Sequence, residues 1–186
     1  MRADAEANHR EILRVAARLI AEQGTGVSLR TIAHTAGVGI GTLYRHFDSR
    51  EALIEGVVAS IFYELDLAAE HFLAHRRPTA EEWRAYAHAL AGTNLGALGG
   101  AFQTDEERKY LEPLAGERVR VLARIEEVLR RASAHGFIAP EVTVPRFLLG
   151  IVQFTRPLPE KIGSGLTAEM SWVLDTFLRG LQPPQR

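Results

Sequence analysis

Residues 28–54 read "SLRTIAHTAGVGIGTLYRHFDSREALI", and the glycines at its centre decide how it folds. Gly37, Gly39 and Gly41 stand directly before Leu43, Tyr44, His46 and Phe47, although glycine costs roughly 1 kcal/mol against alanine inside a helix. The stretch therefore reads as two short helices about a turn. Ser28 suits the N-cap of a first helix carrying Leu29, Ile32 and Ala33 and ending at Ala36-Gly37. Gly37 then supplies the positive φ that a tight turn needs. Two short helices joined in this way, each too short to be stable alone, form a helix-turn-helix, whose second helix enters the major groove of DNA.

In that arrangement Leu29, Ile32, Ala33, Val38, Leu43 and Phe47 face the core. Arg30, Thr31, Gly39, Ile40, Gly41, Thr42, Tyr44, Arg45 and His46 face outward. Hydroxyls, a phenol, a guanidinium and bare glycine backbone are groups that approach phosphates and base edges closely. Arg45 has the planar fork that bonds guanine O6 and N7 together, and it can equally neutralise a phosphate. Gly39 and Gly41 leave the first turn of the second helix thin, so its N–H groups can lie near a phosphate. Ile40 is an apolar tip able to touch a thymine methyl. Tyr44 and His46 have a structural alternative, which is packing within the domain.

Composition sets wide bounds. The chain has 186 residues, 46% of them hydrophobic, and a formal net charge of −1, enough apolar content for a packed core and no bulk reason to bind a polyanion. Within the first 55 residues seven arginines (2, 10, 14, 18, 30, 45, 50) balance seven acids (4, 6, 11, 22, 48, 51, 55), so any basic patch must come from placement. With no cysteine, disulfides, thiolate metal sites and cysteine nucleophiles are excluded. The start, "MRADAEANHREILRVAARLI", mixes acids and bases without the apolar run of a secretory signal, and no transmembrane-length apolar stretch occurs. The expectation is a cytoplasmic protein with no membrane partner.

Apolar residues recur at helical spacing almost throughout, which predicts an all-α fold. A first helix over about 6–23 sets Ile12, Leu13, Ala16, Leu19 and Ile20 on one stripe and stops at Gly24. Ser49 opens a long helix over about 49–74, striped by Ile54, Val57, Val58, Ile61, Leu65, Ala68 and Phe72 and broken near Pro78. Further helices are expected at about 80–98, weakly at 104–113, then at 117–135, 144–155 and 167–181. The segment "RPLPEKIGSGLT" is expected to be a loop.

Several spaced elements together carry a family resemblance: the first helix ending in "AEQG", the "IA..AGV" turn, "GTLYRHF", and "SREAL" opening the long helix. Over about residues 8–58 the chain resembles the N-terminal domain of tetracycline-repressor-like (TetR) transcription regulators. The resemblance implies a DNA-binding domain at 1–50, with the helix-turn-helix at about 28–47, and a helical effector-binding and dimerisation domain at 51–186. It implies that Thr42, Tyr44 and His46 approach DNA from the recognition helix, Arg30 and Thr31 from the helix before it, and Arg50 from the start of the fourth. It also implies a homodimer on near-palindromic operator DNA, released by a small-molecule effector. One departure stands out: the family commonly has Ser or Thr at the position of Gly39, and often a polar or basic residue at that of Ile40.

Beyond the motif, Trp83, Tyr86, Ala87, Leu90, Ala91, Asn94 and Leu98 form one stripe. Asn94 and the Tyr86 hydroxyl interrupt its apolar character, and a buried amide must find a partner in a neighbouring helix or in a ligand. Phe62, Trp83, Tyr86, Asn94, Phe102 and Phe147 are the candidate ligand wall, with Tyr110 as a further aromatic. Segments 144–155 and 167–181 carry more apolar surface than one core face requires, through Phe147, Leu148, Ile151, Val152, Phe154, Met170, Val173, Leu174, Phe177, Leu178 and Leu181. Two such helices from each chain would close a four-helix dimer interface. His71 and His75 have metal-ligand spacing but no evident third ligand. Asp66, Glu70 and Asp105 read as surface acids, with no nucleophile elbow or phosphate loop nearby. No catalytic residue, metal or cofactor is expected. The competing reading is an all-α small-molecule-binding or enzymatic protein whose helix-turn-helix is idle.

Overall fold

A computed structural model describes residues 2–93, 95–96, 109–154 and 167–184, and the described residues form helices and turns with no strand. Helix α1 spans Arg2–Gln23, α2 Leu29–Thr35, α3 Ile40–His46, α4 Arg50–Ala74 and α5 Ala80–Gly92. A 3-10 turn at Lys109–Leu111 precedes α6 (Ala115–Ala134), α7 (Val144–Phe154) and α8 (Thr167–Gly180). Asn94, Phe102, residues 104–108 of the weak helix and residues 156–166 of the expected loop lie outside the described residues.

The caps explain most boundaries. Ser28 accepts from Thr31 N, Ser49 from Ala52 N, and Thr79 with Glu82 closes a reciprocal capping box at α5. Helix α1 begins four residues before its expected start, at Arg2. Helix α5 ends well before residue 98: the buried Thr93 turns its hydroxyl back onto Leu90 O at 2.7 Å and caps the chain at Gly92. Leu95 and Gly96 are again helical.

Helix α4 is the spine. Its buried stripe, Leu53, Ile54, Val57, Val58, Ile61, Leu65, Ala69 and Phe72, meets α1 at the start and α5 and α6 further along. Burying one such aliphatic or aromatic side chain is worth about 1.5–3 kcal/mol. Polar ties fix α6 to the spine: Arg124 Nε donates to Asp66 Oδ1 at 3.2 Å, and Arg131 Nη1 donates to Leu73 O at 2.6 Å and His75 O at 3.1 Å. Asp66 is thus part of an interhelical ion pair rather than an ordinary surface acid. On the far side Asp175 of α8 takes two bonds of 2.7 Å from Arg84 of α5 and lies 2.8 Å from His88 Nε2. The hydrogen bonds from Arg84, then from His88, hold the Asp175 carboxyl well below its ordinary 3.8.

Helices α7 and α8 cross closely because Gly150 has no side chain. A Cβ there would run into the Phe177 ring. Gly150→Ala is therefore expected to destabilise by about 1–3 kcal/mol, whereas Gly116→Ala, whose Cβ would meet nothing within 4 Å, is expected to be neutral or stabilising by up to about 1 kcal/mol; denaturant titration compares the two. Because the folded pKa of Asp175 lies below its unfolded value, its stabilisation is present above about pH 4 and is lost as pH falls. Asp175→Asn should accordingly flatten the acid limb of a stability–pH profile, by a small amount because Arg84 is more than half exposed.

Candidate nucleic-acid interface

A seven-residue helix has too few hydrogen bonds to persist in water by itself, so the position of α3 depends on what it buries. Leu43 is fully buried, and Phe47, its C-cap residue, is 5% exposed. The Phe47 ring and Leu13 of α1 both close on Gly56 of α4, where a Cβ would come within 2.9 Å of Phe47 and 3.2 Å of Leu13. His9 of α1 stacks on Phe47 from the other side, with ring centroids 4.9 Å apart. Helices α1 and α4 thus clamp the C-terminal end of α3 through Phe47, while Leu43 is buried in the core where α3 packs on α2.

The connection to α2 follows from Gly37. With φ at 68°, it lets Val38 N donate to Ala33 O at 3.0 Å while its own N–H donates to His34 O at 3.1 Å. This double closure is the Schellman motif, which left-handed glycine makes possible. Ile32 and Ala33 are buried beneath α2, so the two short helices share one core.

The opposite face is open. Arg30, Thr31, Gly39, Ile40, Gly41, Tyr44 and Arg45 are exposed, while Thr42 and His46 are half-buried. Leu43 at 0% and Tyr44 at 51% exposure are neighbours in sequence, which separates the anchoring face of α3 from its presenting face within one peptide step. Thr31 is partly committed, its hydroxyl 2.7 Å from Ser28 Oγ. His46 lies 5.5 Å from the His9 ring; burial first, and then the charge of His46, pushes the His9 pKa down. An open groove of roughly 680 Å³ runs between Leu29, Arg30, Ile40, Tyr44, Asp48, Ser49 and Arg50. Within the protein nothing requires glycine at 39 or 41: an added Cβ would meet only Thr42 Oγ1 at 3.9 Å in the first case and nothing within 4 Å in the second. What these glycines leave free is the outer surface. Arg14 and Arg18, by contrast, are exposed and paired with Glu11 and Glu22 on α1.

Arg50 is placed differently from the other candidates. It is half-buried, and its Nη1 donates inward to Thr25 O at 2.8 Å and Val27 O at 2.6 Å. That direction has no signature in the sequence, because it depends on how the α1–α2 loop folds over the start of α4.

Three of the candidate ligand residues are brought together, as packed core. Trp83, Tyr86 and Phe147 are buried and lie with Phe72 in one aromatic cluster, at centroid distances of 5.5–6.4 Å. Phe62 is half-buried against the core. Within the cluster Trp83 Nε1 and the Tyr86 hydroxyl are buried with no hydrogen-bond partner among the described residues, and burial pushes the Tyr86 phenol strongly up. His75 is occupied at both ring nitrogens, by His71 O at 3.1 Å and Glu82 at 3.0 Å. Among the described residues no group of three or more His, Asp or Glu could hold a metal ion, and no helix is long and apolar enough to cross a membrane.

Comparison with known proteins agrees with this geometry. The model for bacterial regulatory proteins of the tetR family matches residues 12–57, from α1 into the start of α4. The HTH-type transcriptional repressor KstR2 of Rhodococcus jostii (strain RHA1) is 31% identical over 127 residues, 64% of this chain and 58% of that one. The chain thus spans less than two thirds of the curated relatives it matches first. A TetR transcriptional regulator from Streptomyces coelicolor superposes with a TM-score of 0.67 at 26% identity, over 95% of this chain and 99% of that one. AibR, solved in complex with isovaleryl coenzyme A and operator DNA, has the same fold, with a TM-score of 0.60 at 24% identity over 96% and 100% of the two chains.

The turn itself is testable. Since a Cβ on Gly37 would meet no neighbour, the cost of Gly37→Ala is backbone strain alone, about 1–2 kcal/mol. Gly37→Asn should recover much of that loss, because asparagine tolerates the left-handed region. Equal losses for both variants in chemical denaturation would mean that something other than φ selects glycine here.

Proposed function

The chain belongs to the TetR family of bacterial regulatory proteins, and from that premise we propose that it is a DNA-binding transcriptional regulator, a repressor that leaves its operator when a small molecule binds. The observation that carries this reading is the separation of faces on α3: Leu43 and Phe47 inward, and Ile40, Tyr44 and Arg45 outward beside two glycines that nothing inside the protein demands. In this reading residues 1–50 form the DNA-binding domain, with the first turns of α4 closing its core, and 51–186 form the effector and dimerisation domain. Arg45 reads a base edge or neutralises a phosphate. Tyr44, Thr42, Arg30 and Thr31 position the backbone, His46 contacts DNA with its free edge, and Gly39, Ile40 and Gly41 allow close approach.

The regulator acts as a homodimer through α7 and α8, which sets two recognition helices about 34 Å apart to meet successive major grooves. Phe147, Ile151, Leu174 and Leu178 are consumed by the protomer's own core. The surface offered to a second copy is instead carried by Leu149 and Trp172, 59% and 62% exposed. The effector engages the region of Phe62, Trp83, Tyr86 and Phe147, together with Asn94 and Phe102; Trp83 Nε1 and the Tyr86 hydroxyl, buried without a hydrogen-bond partner among the described residues, support that reading. The reading is supported by AibR, a protein of the same fold solved in complex with isovaleryl coenzyme A and operator DNA. A ligand acts through its differential affinity for two states, here two spacings of the DNA-binding domains linked by α4.

Tyr44→Ala with Arg45→Ala tests the central part. Both side chains are exposed, so the variant is expected to keep its fold and oligomeric state. It should lose about 100-fold in affinity for the DNA flanking its own gene, at roughly 1–3 kcal/mol for each base-directed contact. Unchanged binding in electrophoretic shift would favour the idle helix-turn-helix reading.

A further inference from the structure

We infer that Arg50 is a positioning residue for DNA recognition, a latch that makes the outward face of α2 move with α4 rather than a ligand of the DNA backbone. The inference rests on the DNA-binding reading above and adds to it the joint through which α4 acts. Arg50 is the first residue of α4 and follows its N-cap, Ser49. From there its side chain reaches back more than twenty residues in sequence to the carbonyls of Thr25 and Val27, at 2.8 and 2.6 Å. Both acceptors belong to the loop between α1 and α2.

The loop leaves α1 where Gly24 N donates to Ile20 O at 2.8 Å, contains two glycines, Gly24 and Gly26, and is closed by a longer bond from Val27 N to Gly24 O at 3.4 Å. The Val27 side chain is buried, and the guanidinium adds a directional restraint that comes from α4. The residue after Val27 is Ser28, whose hydroxyl accepts from Thr31 N at 3.0 Å and caps α2. One continuous line of bonds therefore leads from the α4 backbone through Arg50, the Thr25 and Val27 carbonyls and the Ser28 cap to Arg30 and Thr31 on the exposed face. At its other end α4 is held by Arg124 and Arg131 of α6. Arginine side chains thus tie α4 to its surroundings at both ends. Charge-assisted bonds of this kind are roughly twice as strong as neutral ones.

A latch and a phosphate ligand give different signatures. A phosphate ligand carries counterion release, so removing it lowers the slope of log affinity against log salt by about one. A latch leaves that slope intact and lowers only the binding that needs a correctly placed α2. The test uses Arg50→Met, which keeps the aliphatic stem, on full-length protein with circular dichroism to verify the fold at the assay temperature. The DNA probes are a duplex enriched by the wild-type protein from a random library and a scrambled duplex of the same length. The expected result is a loss of about tenfold in affinity for the enriched duplex, with scrambled-duplex affinity and both salt slopes unchanged, and faster amide exchange at residues 25–31 in the free protein. A salt slope reduced by about one would overturn the inference in favour of a phosphate contact. An unfolded variant, or a lowered melting temperature with an unchanged ratio of enriched to scrambled affinity, would overturn it in favour of a purely structural role. If the wild type enriches no sequence, the DNA-binding reading fails, and unchanged exchange at residues 25–31 would then refute the latch separately.

Discussion

The burial of Leu43 in the core beside α2, and of Phe47 between α1 and α4, is the interaction on which the presenting surface depends. Helix α3 is seven residues long, shorter than the dozen or so that a helix needs even to be marginal in water, so its existence is a tertiary fact. Two inward side chains, each worth about 1.5–3 kcal/mol when buried, hold it. Everything on its outer side is then free to be chosen for something other than stability. This is why two exposed glycines and an exposed isoleucine can occupy the first turn of a helix that already lacks a side-chain cap.

The same logic extends along α4. A 25-residue helix joins the helix-turn-helix bundle to the C-terminal helices, and polar ties mark the joints between helices. Arg124 and Arg131 of α6 hold its second half, the Arg84–Asp175–His88 cluster binds α5 to α8, and Arg50 fastens its first residue to the loop before α2. Surface ion pairs contribute little to stability. Their placement at the joints between helices makes them more informative about which elements move as one body than about how stable the protein is.

Much of this was readable from residues alone, for specific reasons. Ser28, Ser49 and Gly37 act through local backbone chemistry, and local chemistry is written in adjacent residues, so α2, the turn and the start of α4 fall where the spacing predicts. The stripe on α4 is likewise a periodic signal. Directions that depend on distant chain were not readable. Arg50 points inward because of carbonyls more than twenty residues earlier. Phe147 and Leu174 turn inward while Leu149 and Trp172 turn out, a partition that composition cannot make when a helix is apolar around most of its circumference. Helix α5 stops at Gly92, where a buried threonine returns its hydroxyl to the backbone, an event concealed by a stripe whose spacing continues to Leu98 in the sequence. Helical spacing puts Trp83 and Tyr86 on one face, whereas Phe147 joins them only through the fold, and whether an aromatic group is wall or core depends on what lies opposite it.

The exposed face of α2 and α3 is proposed to read double-stranded DNA in a symmetric pair. Selection of bound duplexes from a random-sequence library by the purified protein tests that claim most directly. The expected result is enrichment of an inverted repeat whose half-site centres are about 10 base pairs apart or a multiple of that spacing, and no enrichment by the variant lacking Tyr44 and Arg45. Enrichment of no sequence by the wild-type protein, or of a motif without two-fold symmetry, would contradict it.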